Sequence, residues 1–264
     1  MRVRIIFGLT NKGASVPFHH QFLLSNLMTT LIHKEPEKFQ GFYDFNFSGL
    51  KGQTKVGKDG LHFYSNKVTL VISSRSEEFI EYVVKQLFKM QHVEIGKLLL
   101  IPLSVEQEGQ PEFKPETKFI CISPLVVINP IKGEGGDSKK FISPFMDEFS
   151  DYLYENTMNR MEAAGYSQER LADFYKFQVV PDKGYLTKIK VEEKKFARIF
   201  PVFDKGEKYE VRGYTFPFTL YADPEVQSFV FNSGLGVMCH KGFGMLDVAN
   251  QDPNTRTTPY NFTI

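Results

Sequence analysis

Neither sign of charge dominates this chain: 32 lysines and arginines face 31 aspartates and glutamates, a formal net charge of +1. That balance gives no whole-chain signature of nucleic-acid binding, so any basic footprint has to be local. Cysteine is scarce as well. Cys121 and Cys239 form no metal-ligand spacing, and with the strand-like rather than signal-like start Met1 to Phe7 they point to a reduced, cytoplasmic protein. No apolar run approaches the roughly 18 residues a membrane helix needs, so no membrane partner is expected. Asp, Glu and His nowhere gather at metal-site spacing, and neither a metal nor any other cofactor is expected.

What is present suits packed cores. A chain of 264 residues with 42% hydrophobic and 14% aromatic content can fill one large or two modest domains. Residues 2–8 alternate Arg2 and Arg4 with Val3, Ile5 and Phe7, the period-2 pattern of a half-buried strand. From Pro17 to about residue 34, Leu24, Leu27, Met28, Leu31 and Ile32 recur at helical spacing. Strands are predicted over 41–50 and 61–73. A helix follows over 77–89, opened by Ser76, Glu77 and Glu78, and then a strand over 93–103. The order strand, helix, strand, strand, helix, strand is a split βαβ or ferredoxin-like unit.

Residues 105–117 read as a linker or hairpin extension, after which the pattern starts again. A strand at 118–128 is followed by a helix capped at Ser143, Pro144, Asp147 and Glu148. Strands are predicted near 174–180, 185–202 and 209–221. A short helix opens at Asp223 and Pro224, and a last strand spans 243–248. The fold class expected is α+β, two tandem ferredoxin-like domains over 1–115 and 116–264, the second carrying a C-terminal glycine-rich loop.

That loop holds the densest chemistry in the chain. Gly234, Gly236, Gly242 and Gly244 fall within eleven residues, with His240 and Lys241 between them. Glycines let backbone approach an anion closely and aim N–H groups at it, which favours phosphate. A P-loop is excluded because Lys241 precedes its glycine and no hydroxyl follows. A dinucleotide fingerprint is excluded by Cys239 at the third glycine position and by the strand after the loop. Lys241, Gly242, Phe243 and Gly244 imitate an RNA-recognition-motif strand, yet only 18 residues follow Leu246, too few for that fold, and 250–254 look like a tail.

Gly-x-Gly-x5-Gly-Phe-Gly before an apolar strand near the C-terminus resembles the signature of the CRISPR-associated endoribonucleases that cut CRISPR repeat RNA, members of the RAMP superfamily. Other segments are similar in the same order. They are Val16 to Gln21 leading into the first helix, Phe119 to Leu125 with its Ser-Pro, Pro144 to Glu148, and Asp223 through Gly236. The resemblance implies RNA held across a basic face and cleft. It implies cleavage in which a ribose 2′-hydroxyl attacks the adjacent phosphate, leaving a 2′,3′-cyclic phosphate and a 5′-hydroxyl.

Such a reaction asks for a base, an acid and a stabiliser of phosphorane charge. By resemblance the catalytic histidine comes from the first helix or the loop after it. That makes His33 the first candidate, with His20 as an alternative facing the core and Tyr43 and Lys38 as acid or charge stabiliser. The family's usual histidine matches Glu37, Lys38 and Phe39, where this sequence has none, so a non-catalytic RNA-holding subunit is the alternative function. Lys241 with Gly234, Gly236, His240, Gly242 and Gly244 is expected to contact the RNA backbone. A second track is expected at Lys188, Lys190, Lys194 and Arg198, which strand alternation would align. The partner is CRISPR repeat RNA, as precursor and as processed guide. Other CRISPR-associated proteins of an interference complex and a second copy of the chain stay open as partners. A third reading, an unrelated ferredoxin-like protein binding a small anion in the glycine loop, rests on the glycines alone.

Overall fold

Alternation makes the first strand, and the computed structural model, which describes residues 1–131, 138–204 and 206–262, shows its result. In β1 (Arg2–Leu9) the side chains of Val3, Ile5, Phe7 and Leu9 are buried. α1 (Gln21–Ile32) adds Leu24, Met28 and Leu31 to the same core. β2 (Phe45–Phe47), β3 (Lys67–Ser74), α2 (Glu77–Phe88) and β4 (Leu98–Glu108) complete the unit. The Ser76 hydroxyl accepts from the Phe79 N–H at 3.2 Å, and Glu77 and Glu78 lie in the first turn of α2 where the helix dipole favours them. The strands lie in the order β4-β1-β3-β2, each pair antiparallel, which is the ferredoxin-like arrangement.

The second unit repeats the plan. β5 (Glu116–Cys121), α3 (Glu148–Ala163), β6 (Phe177–Pro181), α4 (Lys183–Val191), the hairpin β7 (Ala197–Asp204) and β8 (Glu207–Tyr214), β9 (Pro217–Ala222), α5 (Pro224–Ser233) and β10 (Leu246–Val248) follow in order. Its sheet runs β6-β9-β5-β10, again antiparallel throughout, so α4 and the β7–β8 hairpin are insertions between the second and third sheet strands. Phe119, Phe149, Leu153, Phe216 and Phe218 fill the core, and the hairpin packs Phe200, Val202 and Val211 against Val126 and Phe243 in a smaller one.

Three expectations are corrected. The strand predicted at 93–103 is a hairpin: Val93–Ile95 turns at Gly96 into β4, which runs on to Glu108 through residues read as linker. The strand predicted at 185–202 is α4 followed by β7. The Asp182 carboxylate accepts the Tyr185 N–H at 2.9 Å, and Leu186 and Ile189, three apart, face the core, so the local period is helical.

The third correction concerns the C-terminal stretch, read as a tail of the second domain. Thr257–Pro259 forms β11 on the outer edge of β4, and Phe262 packs on Phe88 with ring centroids 4.8 Å apart. An unpaired strand edge needs partners for its backbone groups, and β11 supplies them. The compact units are therefore Met1–Gln110 with His240–Gly242 and Asp252–Ile264, and Pro111–Cys239 with Phe243–Gln251.

At the β4 edge Glu108 is almost wholly buried. Its Oε1 lies 3.4 Å from Nε of Arg2 and 2.8 Å from Nη2 of Arg256. No helix among the described residues is long and apolar enough to cross a membrane.

Candidate functional site

The glycine loop begins where α5 stops. Gly234 ends that helix with φ of 82°, its N–H still donating to Val230 at 2.9 Å. Ten residues on, Gly244 has φ of 72°, and a Cβ placed there would sit 1.9 Å from the Leu235 carbonyl oxygen. That closeness belongs to a pairing of the loop's two ends. The Leu235 N–H donates to Gly244 O at 2.9 Å, and the Gly244 N–H donates to Pro124 O at 2.8 Å. The Val237 N–H likewise donates to Val126 O.

The anion-cradle expectation is thereby corrected for these positions. The amides of Gly234, Leu235, Val237 and Gly244 are spent on protein carbonyls, and the glycines at 236 and 244 serve close backbone packing.

The carbonyls of this loop are held by a residue that carried no motif. Arg160 of α3 donates through Nη1 to Gly234 O at 2.7 Å and Gly236 O at 3.3 Å, and through Nη2 to Ser233 O at 2.5 Å. Its guanidinium also lies 5.5 Å from the Phe229 ring centroid. The available signal was position: Arg160 falls seven residues after Leu153, on the stripe of α3 that buries Phe149, Leu153, Thr157 and Met161. Arg160→Ala is expected to lower stability by about 3 kcal/mol, since charge-assisted bonds contribute about 1.5–3 kcal/mol each and this group is partly solvated. Arg160→Lys should recover little because an ammonium lacks the fork that reaches three carbonyls. Urea unfolding of the two variants checks both statements.

Residues His240–Gly242 belong with the first unit, and there they meet one face of its edge strand. Phe45 and Phe47 lie on that strand, and Tyr43 lies two residues before it. The His240 ring lies 4.7 Å from that of Tyr43, at 52° between planes, and 6.4 Å from that of Phe45. At Gly242, with φ of 83°, an added Cβ would lie 2.3 Å from Cε2 of Phe47, so only glycine lets the chain pass this ring so closely. Phe45 and Phe47 are buried, whereas Tyr43 is 65% exposed. The outcome is an accessible phenol in contact with an imidazole, with the Lys241 ammonium on the next residue.

The other candidates are placed elsewhere or otherwise engaged. His20 is buried. Its Nε2 accepts the Leu50 N–H at 3.1 Å, so its Nδ1 is the protonated nitrogen and donates to Pro17 O at 3.2 Å. Burial pushes its pKa down. Both nitrogens are committed to structure, which corrects its candidacy as a catalytic group.

His33 is exposed at the C-cap of α1, and its Nδ1 lies 2.7 Å from Thr29 O of the same helix. Lys38 ion-pairs with Glu78 at 2.8 Å, and that hydrogen bond holds its pKa above the ordinary lysine value. Lys188, Lys190, Lys194 and Arg198 are all exposed, but the strand that was to align them is corrected. Lys188 and Lys190 lie on different faces of α4, Lys194 pairs with Glu192 at 2.7 Å, and Arg198 lies on β7.

Cys121 and Cys239 are buried, and burial pushes the Cys121 thiol up to about 12, so it is inert at neutral pH. Among the described residues no group of three His, Cys, Asp or Glu side chains could hold a metal ion.

Two tandem ferredoxin-like units, with a glycine-rich loop before the last sheet strand of the second, define an α+β protein of tandem ferredoxin-like architecture. Residues 107–248 match the family described as CRISPR associated protein Cas6, C-terminal, and the chain belongs to the Cas6 family. It is 23% identical over 95% of its length to all of a putative CRISPR-associated endoribonuclease-like protein Cas6 of Pyrococcus furiosus. It is 24% identical over 94% of its length to 92% of the CRISPR-associated endoribonuclease Cas6 1 of Methanocaldococcus jannaschii.

Among solved structures, a Cas6-related protein from Pyrococcus furiosus superposes with a TM-score of 0.80 at 21% identity, covering 96% of this chain and 99% of that one. A RAMP protein binding different RNA substrates gives 0.78 at 19% identity, covering 95% of this chain and 100% of that one. At such identities these structures speak for the fold.

Proposed function

We propose that this chain is a CRISPR repeat-RNA endoribonuclease that cuts without a metal ion. The observation that carries the reading is the accessible Tyr43 ring against His240, with Lys241 beside it. Those three side-chain types can accept a proton, donate one and stabilise phosphorane charge. The endoribonuclease names of the curated relatives, matched along nearly the whole chain, support it.

The first unit holds the reacting groups, and Lys241 meets the phosphate. Lys188, Lys190, Lys194 and Arg198 offer exposed cations to the RNA backbone from the second unit. The 2′-oxygen forms its bond to phosphorus as the bond from phosphorus to the 5′-oxygen breaks, giving a 2′,3′-cyclic phosphate and a 5′-hydroxyl. RNA is required because the nucleophile is the 2′-hydroxyl. The setting is the cytoplasm, where the precursor transcript is made.

A second reading is a subunit that holds repeat or guide RNA without cutting it, favoured by the absence of histidine at residues 37–39. Incubation of repeat RNA with the protein in EDTA, followed by end-group analysis, separates the two. Cleavage is expected to persist in chelator and to stop when a single 2′-deoxyribose precedes the cut. Strict magnesium dependence, or cutting of an all-DNA repeat, overturns the reading. Binding without cutting transfers the assignment to the holding role.

A further inference from the structure

We infer that a small three-stranded sheet of the first unit is a contact site for single-stranded RNA, where Tyr64 stacks an unpaired base and Lys12, Lys55 and Lys97 hold the phosphates beside it. The site rests on the repeat-RNA reading of the chain and says which surface of the first unit grips the strand.

Ser15–Val16, Leu61–Phe63 and Thr54–Val56 pair antiparallel, with Leu61–Phe63 in the middle. Ser15, His62 and Lys55 stand opposite one another across this sheet, so their side chains share one face. The Tyr64 N–H donates to Gln53 O at 2.9 Å, which extends the ladder and brings Tyr64 to the same face as His62, two residues earlier. The Tyr64 ring is 43% exposed, and the Lys55 ammonium lies 5.1 Å from its centroid. Gly13 borders that ring as well. A carbon added to Gly13 would lie 3.8 Å from Cε1 of Tyr64, and Lys12 is the residue before it.

The charge here is one-sided. Residues 10–16, 51–67 and 96–97 build this sheet and its flanks, and they hold six lysines, at 12, 51, 55, 58, 67 and 97, against one carboxylate, Asp59. All six lysines are exposed. In a chain of net charge +1 this is the kind of local excess that a polyanion recognises. Glu94, just before the last of these stretches, lies 3.4 Å from Nε2 of His92.

Asp59 does not cancel the excess. Its carboxylate is 3.0 Å from Nε2 of His62, 3.3 Å from the Ser15 hydroxyl and 3.8 Å from the Lys97 ammonium. His62 faces acceptors with both ring nitrogens, its Nδ1 lying 2.9 Å from Gly13 O, and the Gly13 carbonyl and then Asp59 raise its pKa. Protonated His62 offsets Asp59 and ties the middle strand to the Gly13 turn, so ring and cations stand on a braced surface.

An exposed aromatic ring among cations suits a single strand, because bases stack on the ring whatever their identity and lysines follow the backbone. Other polyanions, such as an anionic lipid surface, would use the lysines but have no flat group to lay on Tyr64. A base arriving on the ring displaces the Lys55 ammonium, since an exposed cation–π contact is weaker than base–aromatic stacking. The ammonium then swings on its four-carbon stem to the adjacent phosphate.

The test is equilibrium binding of repeat RNA that carries a 2′-deoxyribose at the cut, single-stranded or annealed to its complement, over a range of salt. Wild type is compared with Tyr64→Ala, Tyr64→Phe and a triple variant in which Lys12, Lys55 and Lys97 are each replaced by alanine. Tyr64→Ala is expected to weaken single-strand binding about tenfold, and Tyr64→Phe to stay within about twofold of wild type. On annealed RNA Tyr64→Ala should match wild type, because paired bases cannot lie on the ring. The triple variant should lower the slope of log affinity against log salt by about 2, three contacts at about 0.7 each. It alters only exposed side chains, so it reads the site even where Tyr64→Ala folds poorly.

Wild-type affinity in both Tyr64→Ala and the triple variant overturns the site and leaves the repeat-RNA reading standing. Equal losses by Tyr64→Ala on single-stranded and annealed RNA overturn the stacking role. A triple variant that keeps its RNA affinity but no longer binds phosphatidylserine vesicles that wild type binds gives the lysines to a membrane surface and overturns the site. Wild-type protein that binds no repeat RNA overturns the repeat-RNA reading itself, and this site with it.

Discussion

Replacing Glu108 with alanine is expected to lower stability by about 3–5 kcal/mol, the usual cost of removing one member of a buried ion pair. The carboxylate lies between Arg2 and Arg256, and the side chains of Glu108 and Arg2 are each only 1% exposed. Its removal takes the Glu108 carboxylate away from the buried Arg2 guanidinium and detaches Arg256 from the β4 edge. Glu108→Gln should lose less because an amide oxygen can still accept from one arginine. Urea midpoints of both variants measure the effect, with amide exchange at β11 reporting whether that strand comes off first. A change below about 1 kcal/mol in the alanine variant would mean that water reaches Arg2, contrary to its burial.

Gly244→Ala is expected to cost about 4 kcal/mol and to separate the two ends of the glycine loop. Two effects add. An L-residue at this positive φ costs about 1–2 kcal/mol. A methyl 1.9 Å from the Leu235 carbonyl oxygen cannot be accommodated without breaking the Leu235–Gly244 hydrogen bond, a contact with backbone that cannot swing aside. Gly165→Ala isolates the first effect. Gly165 has φ of 96° and nothing within 4 Å of the added carbon, so it should cost only the conformational part. Comparable urea midpoints for the two variants would refute the packing account of the loop.

Features set by neighbouring residues were legible in the sequence. Val3, Ile5 and Phe7 reveal β1, and Ser76 with Glu77 and Glu78 marks the start of α2, because both signals lie within a few residues. Both ferredoxin-like orders follow from such local signs. The misreading at 185–191 has an equally local cause. Lys188 and Lys190 suggest alternation, but the Asp182 cap and the Leu186–Ile189 spacing decide for helix.

What could not be read is what distant segments do to each other. Thr257 pairs with Glu108, and His240 meets Tyr43, through contacts no window of sequence contains. Glycine content indicated a loop that approaches something closely. It did not say that at Gly244 the something is the loop's own backbone and at Gly242 the ring of Phe47.

The late pairing of β11 with β4 has a consequence for how the chain is made. Glu108 and Arg2 are available to the nascent polypeptide long before Arg256 leaves the ribosome, and Arg4 awaits Asn254, its 2.6 Å hydrogen-bond partner, over 250 positions. Until those residues emerge, the outer backbone edge of β4 is open at residues 106–108 and the buried Glu108 carboxylate lacks Arg256. The first sheet can begin folding at once, yet it is finished only when translation has passed residue 259. A ribosome-stalled product ending before Arg256 would expose an unsatisfied edge that chaperones and proteases can recognise.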